Sequence, residues 1–233
     1  MRLTPATRKA IRYACLNYHY SKAVPAIVTE GYNVYNNADE WCGVILFGAG
    51  ANPNLGKSFN LVNGQILELT RVALNGKQEH TSQAVSMALK QLHTDRPMCR
   101  LVVSYADCDQ SHLGTIYQAT NWVYVGEKND GTMSSFIING RKTHKRSVHS
   151  RMVVIDGKKV HCPQTLEGIQ KYLDPEASIF RTKGKRKYLM PMDKAMRKQI
   201  KSLAQPYPKN DDWVKIDRAR FKEGVTDGKE TDN

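Results

Sequence analysis

The sequence predicts a mixed α/β fold, a central sheet flanked by helices and followed by a basic C-terminal extension. Three observations lead there. Between residues 41 and 127, apolar runs of strand length alternate with amphipathic runs of helical length. That order makes a sheet with crossovers the expectation. Hydrophobic residues make up 40% of the 233, enough to build a core. Beyond about residue 140 the texture changes to dense clusters of Lys and Arg.

Taken in order, residues 4–18 read as a helix with Thr4 as N-cap and Pro5 in its first turn. His19-Tyr20-Ser21-Lys22 follow where that helix ends. Trp41–Gly48 is an apolar run bounded by glycine, a buried strand by length and composition. The Gly-, Asn- and Pro-rich stretch 49–64 is a loop. Gln65–Leu74 is the next strand, and Asn75-Gly76 turns the chain toward an amphipathic helix over 80–95, with Thr81 or Ser82 as its cap. Arg100–Asp107 is a strongly apolar strand, and a short helix over 111–121 leads into the strand 122–127. Further on, 152–162 forms a hairpin turning at Asp156-Gly157, and 165–173 a short helix. The organisation read from this is a core over 1–140, a basic extension over 141–221 that packs on it, and a polar, disordered tail over 222–233.

Lys and Arg number 35 against 22 Asp and Glu, a formal charge of +13. A surplus of this size points to a polyanionic partner held by phosphate contacts. Segment 141–151 alone has five Lys/Arg and two His in eleven residues. Five cysteines are scattered with no C-x-x-C pair, which argues against a disulfide scaffold or a thiolate zinc site and for free thiols. No stretch approaches the roughly 20 apolar residues of a membrane span. The N-terminal stretch carries charges throughout, unlike a secretory signal, so a soluble cytoplasmic protein with no membrane partner is expected. The oligomeric state is not readable.

The unit from Gln65 to Gly126 has the outline of the GNAT acyltransferase superfamily. In that superfamily the loop after the first strand of the unit reads Q/R-x-x-G-x-G/A, and its amides bind the pyrophosphate of coenzyme A. Here Lys77 stands in the Gln/Arg place, and His80 and Ser82 replace small residues. The stretch Ile116–Trp122 matches a second pattern, L-Y-x-x-x-G-F, at Tyr117 and at the aromatic, with Asn121 in the glycine place. A phenol with pKa near 10 suits protonation of a departing thiolate; a tyrosine packed against the sheet is the other reading.

HYSK near residue 20, ELTRVAL at 68–74, LVVSYAD at 101–107, HLGTIYQATNWVYVG at 112–126, and KRKYLMPMDKAMRKQI with QPYPK complete a wider pattern. In that order, over most of its length, the chain resembles the Mom family of phage proteins. The resemblance implies a GNAT-like fold and an enzyme that adds a methylcarbamoyl group to the exocyclic amine of adenine in double-stranded DNA, protecting it from host restriction. It implies acetyl-CoA or a related donor held between two splayed strands, with iron as a further candidate.

Carried onto this sequence, Tyr117, Asp107, His19 and Glu68 are the catalytic candidates. Tyr117 would sit over the thioester sulfur, and Asp107, at a strand end, would orient the amine, accept its proton, hold a metal, or simply cap a turn. His19 would act as base or, with Asp107, as an iron ligand. Glu68 and Arg71, three apart on a strand, point to opposite faces, with Glu68 toward the reaction. Ser82, Thr81, Lys77 and Arg71 are the donor-binding candidates, Arg71 alternatively pairing with a helix. The DNA clamp falls to Arg141, Lys142, Lys145, Arg146 and Arg151, and to Lys183, Lys185, Arg186 and Lys187, with Tyr188 and Tyr207 stacking on displaced bases. Reaching the amine calls for a flipped base. The rival readings are an ordinary N-acetyltransferase acting on a protein or small amine, and a non-enzymatic DNA-binding protein on the same fold.

Overall fold

The computed structural model of the chain describes residues 1–50, 52–128, 134–181 and 184–209. The tail expected over 222–233 lies outside the described residues, as does Lys183. In chain order the elements are β1 (Arg2–Pro5), α1 (Arg8–Asn17), β2 (Glu30–Tyr35), β3 (Trp41–Gly48), β4 (Ile66–Leu74), α2 (Thr81–Asp95), β5 (Leu101–Asp107), α3 (Thr115–Gln118) and β6 (Val123–Lys128). A second group follows: β7 (Ser134–Ile138), β8 (Arg141–His144), α4 (Lys145–His149), β9 (Met152–Ile155), β10 (Lys158–His161), α5 (Leu166–Tyr172) and β11 (Ser178–Arg181). The chain then returns with β12 (Lys185–Pro191) and α6 (Lys194–Ile200).

Among the described residues the main sheet has seven strands in the order β1-β2-β3-β4-β5-β12-β6, antiparallel except for the parallel β4–β5 pair. This is the mixed α/β class that the alternation predicts. The sheet does not end near residue 140, however. β12 lies between β5 and β6, pairing with β5 over seven residues, so a strand from beyond residue 184 completes it. Residues 134–181 form a separate small unit, a three-stranded and a two-stranded sheet around Phe136, Ile138, Val148, Val153 and Ile169. The β9–β10 hairpin turns at Asp156 and Gly157, both at positive φ, as its sequence predicts.

Strand alternation sorts the core into two layers. On one face, Ile45, Phe47, Leu67, Leu69, Val102 and Ala106 meet Ala84, Val85, Ala88 and Leu92 of α2, together with Tyr117 and Trp122. On the other, Val44, Leu46 and Ala73 pack beneath Ile11, Ala14 and Cys15 of α1. Further along that second face, Ile66, Leu101, Val103 and Leu189 pack beneath Met196 and Ile200 of α6. The second layer is called the α1/α6 face below.

Three local expectations give way to tertiary context. Thr4 and Pro5 do not start α1; they belong to β1, paired with Asn33 and Tyr32. Proline is tolerated on an edge strand, and Thr7 is the real cap, its hydroxyl accepting from the Ala10 amide at 3.2 Å. At α2 the cap position is His80, which makes no side-chain bond, so neither Thr81 nor Ser82 caps. The third concerns phase in β4, where a bulge at Thr70 puts Leu46 opposite Arg71 and Phe47 opposite Leu69. The extra residue brings Glu68 and Arg71 to the same side of the sheet, not to opposite faces.

Gly43 shows how closely the strands approach: at φ +130, a Cβ there would lie 2.1 Å from the Ala73 carbonyl oxygen. Gly76 is also left-handed, at φ +86, but faces open space. Gly43→Ala is therefore expected to cost about 2–3 kcal/mol in urea unfolding and Gly76→Ala about 1 kcal/mol. Equal losses would show that the Gly43 contact relaxes without cost.

Candidate functional site

The parallel pairing of β4 with β5 covers only Ile66–Leu101, Leu67–Val102 and Glu68–Val103. Beyond Glu68, β4 remains paired with β3 as far as Leu74. Its other edge therefore has no ladder partner from β5, and a gap opens between the strands. At the mouth of the gap the Ser104 hydroxyl stands 3.0 Å from the Leu69 carbonyl oxygen and 2.8 Å from the Tyr117 phenol oxygen. The carbonyl can only accept, so Ser104 gives it its proton and receives that of Tyr117. Burial pushes the Tyr117 phenol up, with Ser104 opposing that shift. The ring packs between Trp122 and Tyr188, at centroid distances of 5.1 and 5.0 Å. Asn121, in the motif's glycine place, has φ 59, a backbone that glycine or asparagine adopts most readily.

On the α1/α6 face the same gap is bordered by polar groups. The Thr70 bulge brings Glu68 and Arg71 there, and alternation along β5 adds Tyr105 and Asp107. The segment after α1 closes over them. Asp107 caps the turn that follows β5, accepting from the Asp109 amide at 3.0 Å through Oδ1. Its Oδ2 accepts from the Tyr20 phenol at 3.2 Å. Arg71 donates from Nε to the Ala23 carbonyl at 3.3 Å and from Nη1 to the Thr70 carbonyl at 2.6 Å, tying the 19–23 segment to β4. Gly50, at φ +73, lies so close to Glu68 that a Cβ would come within 2.4 Å of Oε2. Burial, helped by the Glu68 charge, pushes the Tyr105 phenol up to about 12.

His19 stacks on Tyr20 with centroids 4.4 Å apart. Its Nδ1 accepts from the Ser21 amide at 3.1 Å, which leaves the neutral ring's proton on Nε2. Burial first, then Arg71, His112 and Lys22, lower its pKa to about 4. Burial and the Asp107 carboxylate hold the Tyr20 phenol above its usual range. Tyr20 and Ser104 were not among the site candidates, although HYSK and LVVSYAD, the motifs that contain them, belong to the family pattern.

His19 and Asp107 do not make a metal centre. Tyr20 stands between them, stacked on one and bonded to the other. Among the described residues no group of three His, Cys, Asp or Glu is arranged to hold an ion. The donor set therefore does not fit the iron considered from the sequence. All five cysteines are free and buried.

The donor-loop candidates lie at the N-terminus of α2. Thr81 accepts from Gln78 Nε2 at 2.8 Å, Ser82 is half-buried, and Lys77 lies 3.9 Å from Glu40. With His80 giving no side-chain bond, the first-turn amides of α2 have no side-chain cap. Gln78 Oε1 is buried without a partner among the described residues.

The predicted DNA residues fall on two parts of the chain, the small unit and β12. Arg141, Lys145 and Arg151 are exposed, and the Arg146 side chain lies outside the described residues. Lys142 pairs with Asp109 at 2.5 Å, its ammonium 4.2 Å from the centroid of the Phe180 ring. Alternation along β12 places Lys185 and Lys187 on the α1/α6 face opposite Asp107 and Tyr105. It turns Arg186 the other way, where it donates to the His112 carbonyl at 3.0 Å and pairs with Glu127 at 3.5 Å. Tyr188 is fully buried, its phenol donating to the Leu113 carbonyl, so it cannot stack on a base. Tyr207 is partly exposed, its phenol donating to the Trp122 carbonyl at 2.6 Å.

Among the described residues no helix is long and apolar enough to cross a membrane. A model of the Mom protein family matches residues 1–209. The methylcarbamoylase mom of Escherichia phage Mu is 25% identical over 201 residues, covering 82% of this chain and 76% of that protein. Among solved structures, a spermidine N-acetyltransferase chimera of the Vibrio cholerae protein and hSSAT overlaps at TM-score 0.44 and 10% identity, covering 82% of this chain and 97% of that one. A Bacillus subtilis acetyltransferase in complex with CoA overlaps at TM-score 0.43 and 10% identity, with the same coverage. Overlap of that size supports no inference about chemistry.

Because His19 is neutral in the fold down to about pH 4, an unfolded imidazole near 6.5 takes up its proton first. The contribution of His19 to stability is thus present above pH 6.5 and declines as pH falls toward 4. Arg71→Gln removes the charge that, after burial, lowers the His19 pKa most, and is expected to raise the His19 midpoint in an NMR titration. An unchanged midpoint would mean that Arg71 contributes nothing to it.

Proposed function

Taking as premise that the chain belongs to the Mom protein family, we propose that it is a transferase that modifies phage DNA. It adds a methylcarbamoyl group to the exocyclic amine of adenine and so protects that DNA from restriction. The observation that carries this reading is the gathering of Glu68, Arg71, Asp107, His19 and Tyr20 on one face of the sheet, at the mouth of the gap between β4 and β5. An adenine amine is a poor nucleophile, and a carboxylate placed against its N–H strengthens it as the new bond forms.

In this reading Glu68 is that base. Asp107 already uses one oxygen for the turn and the other for Tyr20, and it orients the base through Tyr20. Neutral His19 accepts rather than donates at Nδ1. Arg71 holds the 19–23 segment over the gap and places a cation beside charge that develops there. Tyr117, bonded to Ser104 below the gap, supplies a proton to the leaving group. A coenzyme A derivative would place its phosphates at Thr81, Ser82 and Lys77, where the first-turn amides of α2 lack a side-chain cap. Because the methylcarbamoyl group contains an amide nitrogen that an acetyl thioester lacks, the donor must already carry that amide, which the adenine nitrogen takes up as the donor's leaving group departs with the proton. Double-stranded DNA approaches from the α1/α6 face, and its adenine is presented as a flipped base.

Mass spectrometry of nucleosides from plasmid DNA tests the proposal, in bacteria expressing the chain or its Glu68→Gln and Tyr117→Phe variants. The expected result is an adenine nucleoside heavier by a methylcarbamoyl group, reduced about 100-fold or more by Glu68→Gln. Fragmentation separates that group from an acetyl, which simple acyl transfer would leave. Unmodified DNA from folded protein, with an acetylated protein or small amine instead, would replace this reading with the ordinary N-acetyltransferase.

A further inference from the structure

The two helices on the α1/α6 face share a property that the clusters beyond residue 140 concealed. Residues 1–29 contain five Lys/Arg and no Asp or Glu, and so do residues 194–209. Each stretch is thus worth +5 in a chain of net +13. The fold brings both to the same side of the sheet: α1 buries Ile11, Ala14 and Cys15 over β3 and β4, and α6 buries Met196 and Ile200 over β5 and β12. Their outward positions are basic. Arg8, Lys9 and Arg12 on α1 are exposed, as are Lys194, Arg197 and Lys198 on α6, and none of the six forms an ion pair among the described residues. On the opposite face, α2 carries Lys90 as its one Lys or Arg and α3 carries none.

The placement within α1 is informative on its own. Arg8 and Lys9 occupy the first turn, with no acidic residue there. The helix end is positive at that point, so cations are disfavoured and acids are the stabilising choice. Two bases where stability favours acids suggest selection for something outside the helix.

We propose that these two helix rims are the phosphate-contacting surface for duplex DNA, one rim to each backbone, with the Glu68–Asp107 cleft between them. This rests on the reading that DNA is the substrate. β3 under α1 and β12 under α6 are three strand positions apart, and α1 sits over the Ala73 end of β4 while α6 sits over its Ile66 end, so the rims lie diagonally across the sheet on either side of the β4–β5 gap. Two basic rims that flank a cleft can each hold one phosphate backbone of a duplex while the cleft between them receives the flipped adenine.

The test measures binding of the full chain to a fluorescent DNA duplex across a salt series, without donor. One variant neutralises α1 (Arg8→Gln, Lys9→Gln, Arg12→Gln) and one neutralises α6 (Lys194→Gln, Arg197→Gln, Lys198→Gln). Each lost phosphate contact is expected to reduce the slope of log K against log salt by about 0.9, hence by about 2–3 for each triple variant. Thermal unfolding is read alongside: the α1 variant should melt no lower than the parent, since it removes unfavourable first-turn charge. Loss of binding at unchanged melting temperature supports the proposal. Slopes within 0.5 of the parent in both variants would overturn it. Nucleosides from cells carrying the variants separate the two claims. Modified DNA with unchanged binding sinks the rims alone, and salt-dependent rim binding with no modification sinks the enzymatic reading alone.

Discussion

Parallel pairing between β4 and β5 lasts for three residue pairs and then stops, while β4 stays bonded to β3 for six residues more. The backbone groups left on the open edge must be met by something other than a strand, because buried amides and carbonyls without partners are costly. The Ser104 side chain meets the Leu69 carbonyl, the Arg71 side chain meets the Thr70 carbonyl, and both act where the strands part. Each of these side chains is also committed elsewhere, Ser104 to Tyr117 and Arg71 to the segment after α1. One interrupted ladder therefore organises groups on both faces. Had the pairing continued, the gap would be filled by backbone, and Tyr117 and Glu68 would be separated by a closed sheet.

The bulge at Thr70 is the second half of the same device. Without it, period-two alternation would place Arg71 among the apolar side chains over α2. There its charge would be buried without a carboxylate in reach, at a cost of several kcal/mol. With it, Arg71 faces the side where Ala23 and His19 lie, and Leu69 and Val72 both remain in the core despite being three apart. The cation in turn helps keep His19 neutral, so one irregularity in a strand reaches the protonation state of a ring on a different segment.

Much of this was readable in the residues. The apolar runs 41–48, 66–74 and 101–107 became strands, and the pattern around Tyr117 folded with the phenol at the gap. The Asp-Gly hairpin also formed where its turn residues placed it. What escaped notice had physical reasons. The first strand is an edge of four residues whose Thr and Pro mimic a helix start, and β2 has too mixed a pattern to stand out alone. A bulge leaves no compositional mark, so the shared face of Glu68 and Arg71 could not be seen. A cluster in sequence also need not share a face. Lys185, Arg186 and Lys187 look like one patch, but a strand sends alternate residues to opposite faces. The bases of α1 and α6, far apart in the chain, come to one face only because the sheet carries both helices there.

The position of β12 has a consequence for how the molecule comes to exist. On a ribosome, β5 and β6 emerge long before the strand that must separate them, since residues 134–181 intervene. Until Lys185–Pro191 arrives, both strands present open edges, the condition under which chains pair with one another. Closing them is a contact of long sequence separation, which slows folding. A nascent chain of this kind depends on its small second unit folding promptly around Phe136 and Ile169, because that shortens the path β12 must travel. The unit would then serve assembly as a tether, whatever else it touches in the finished protein.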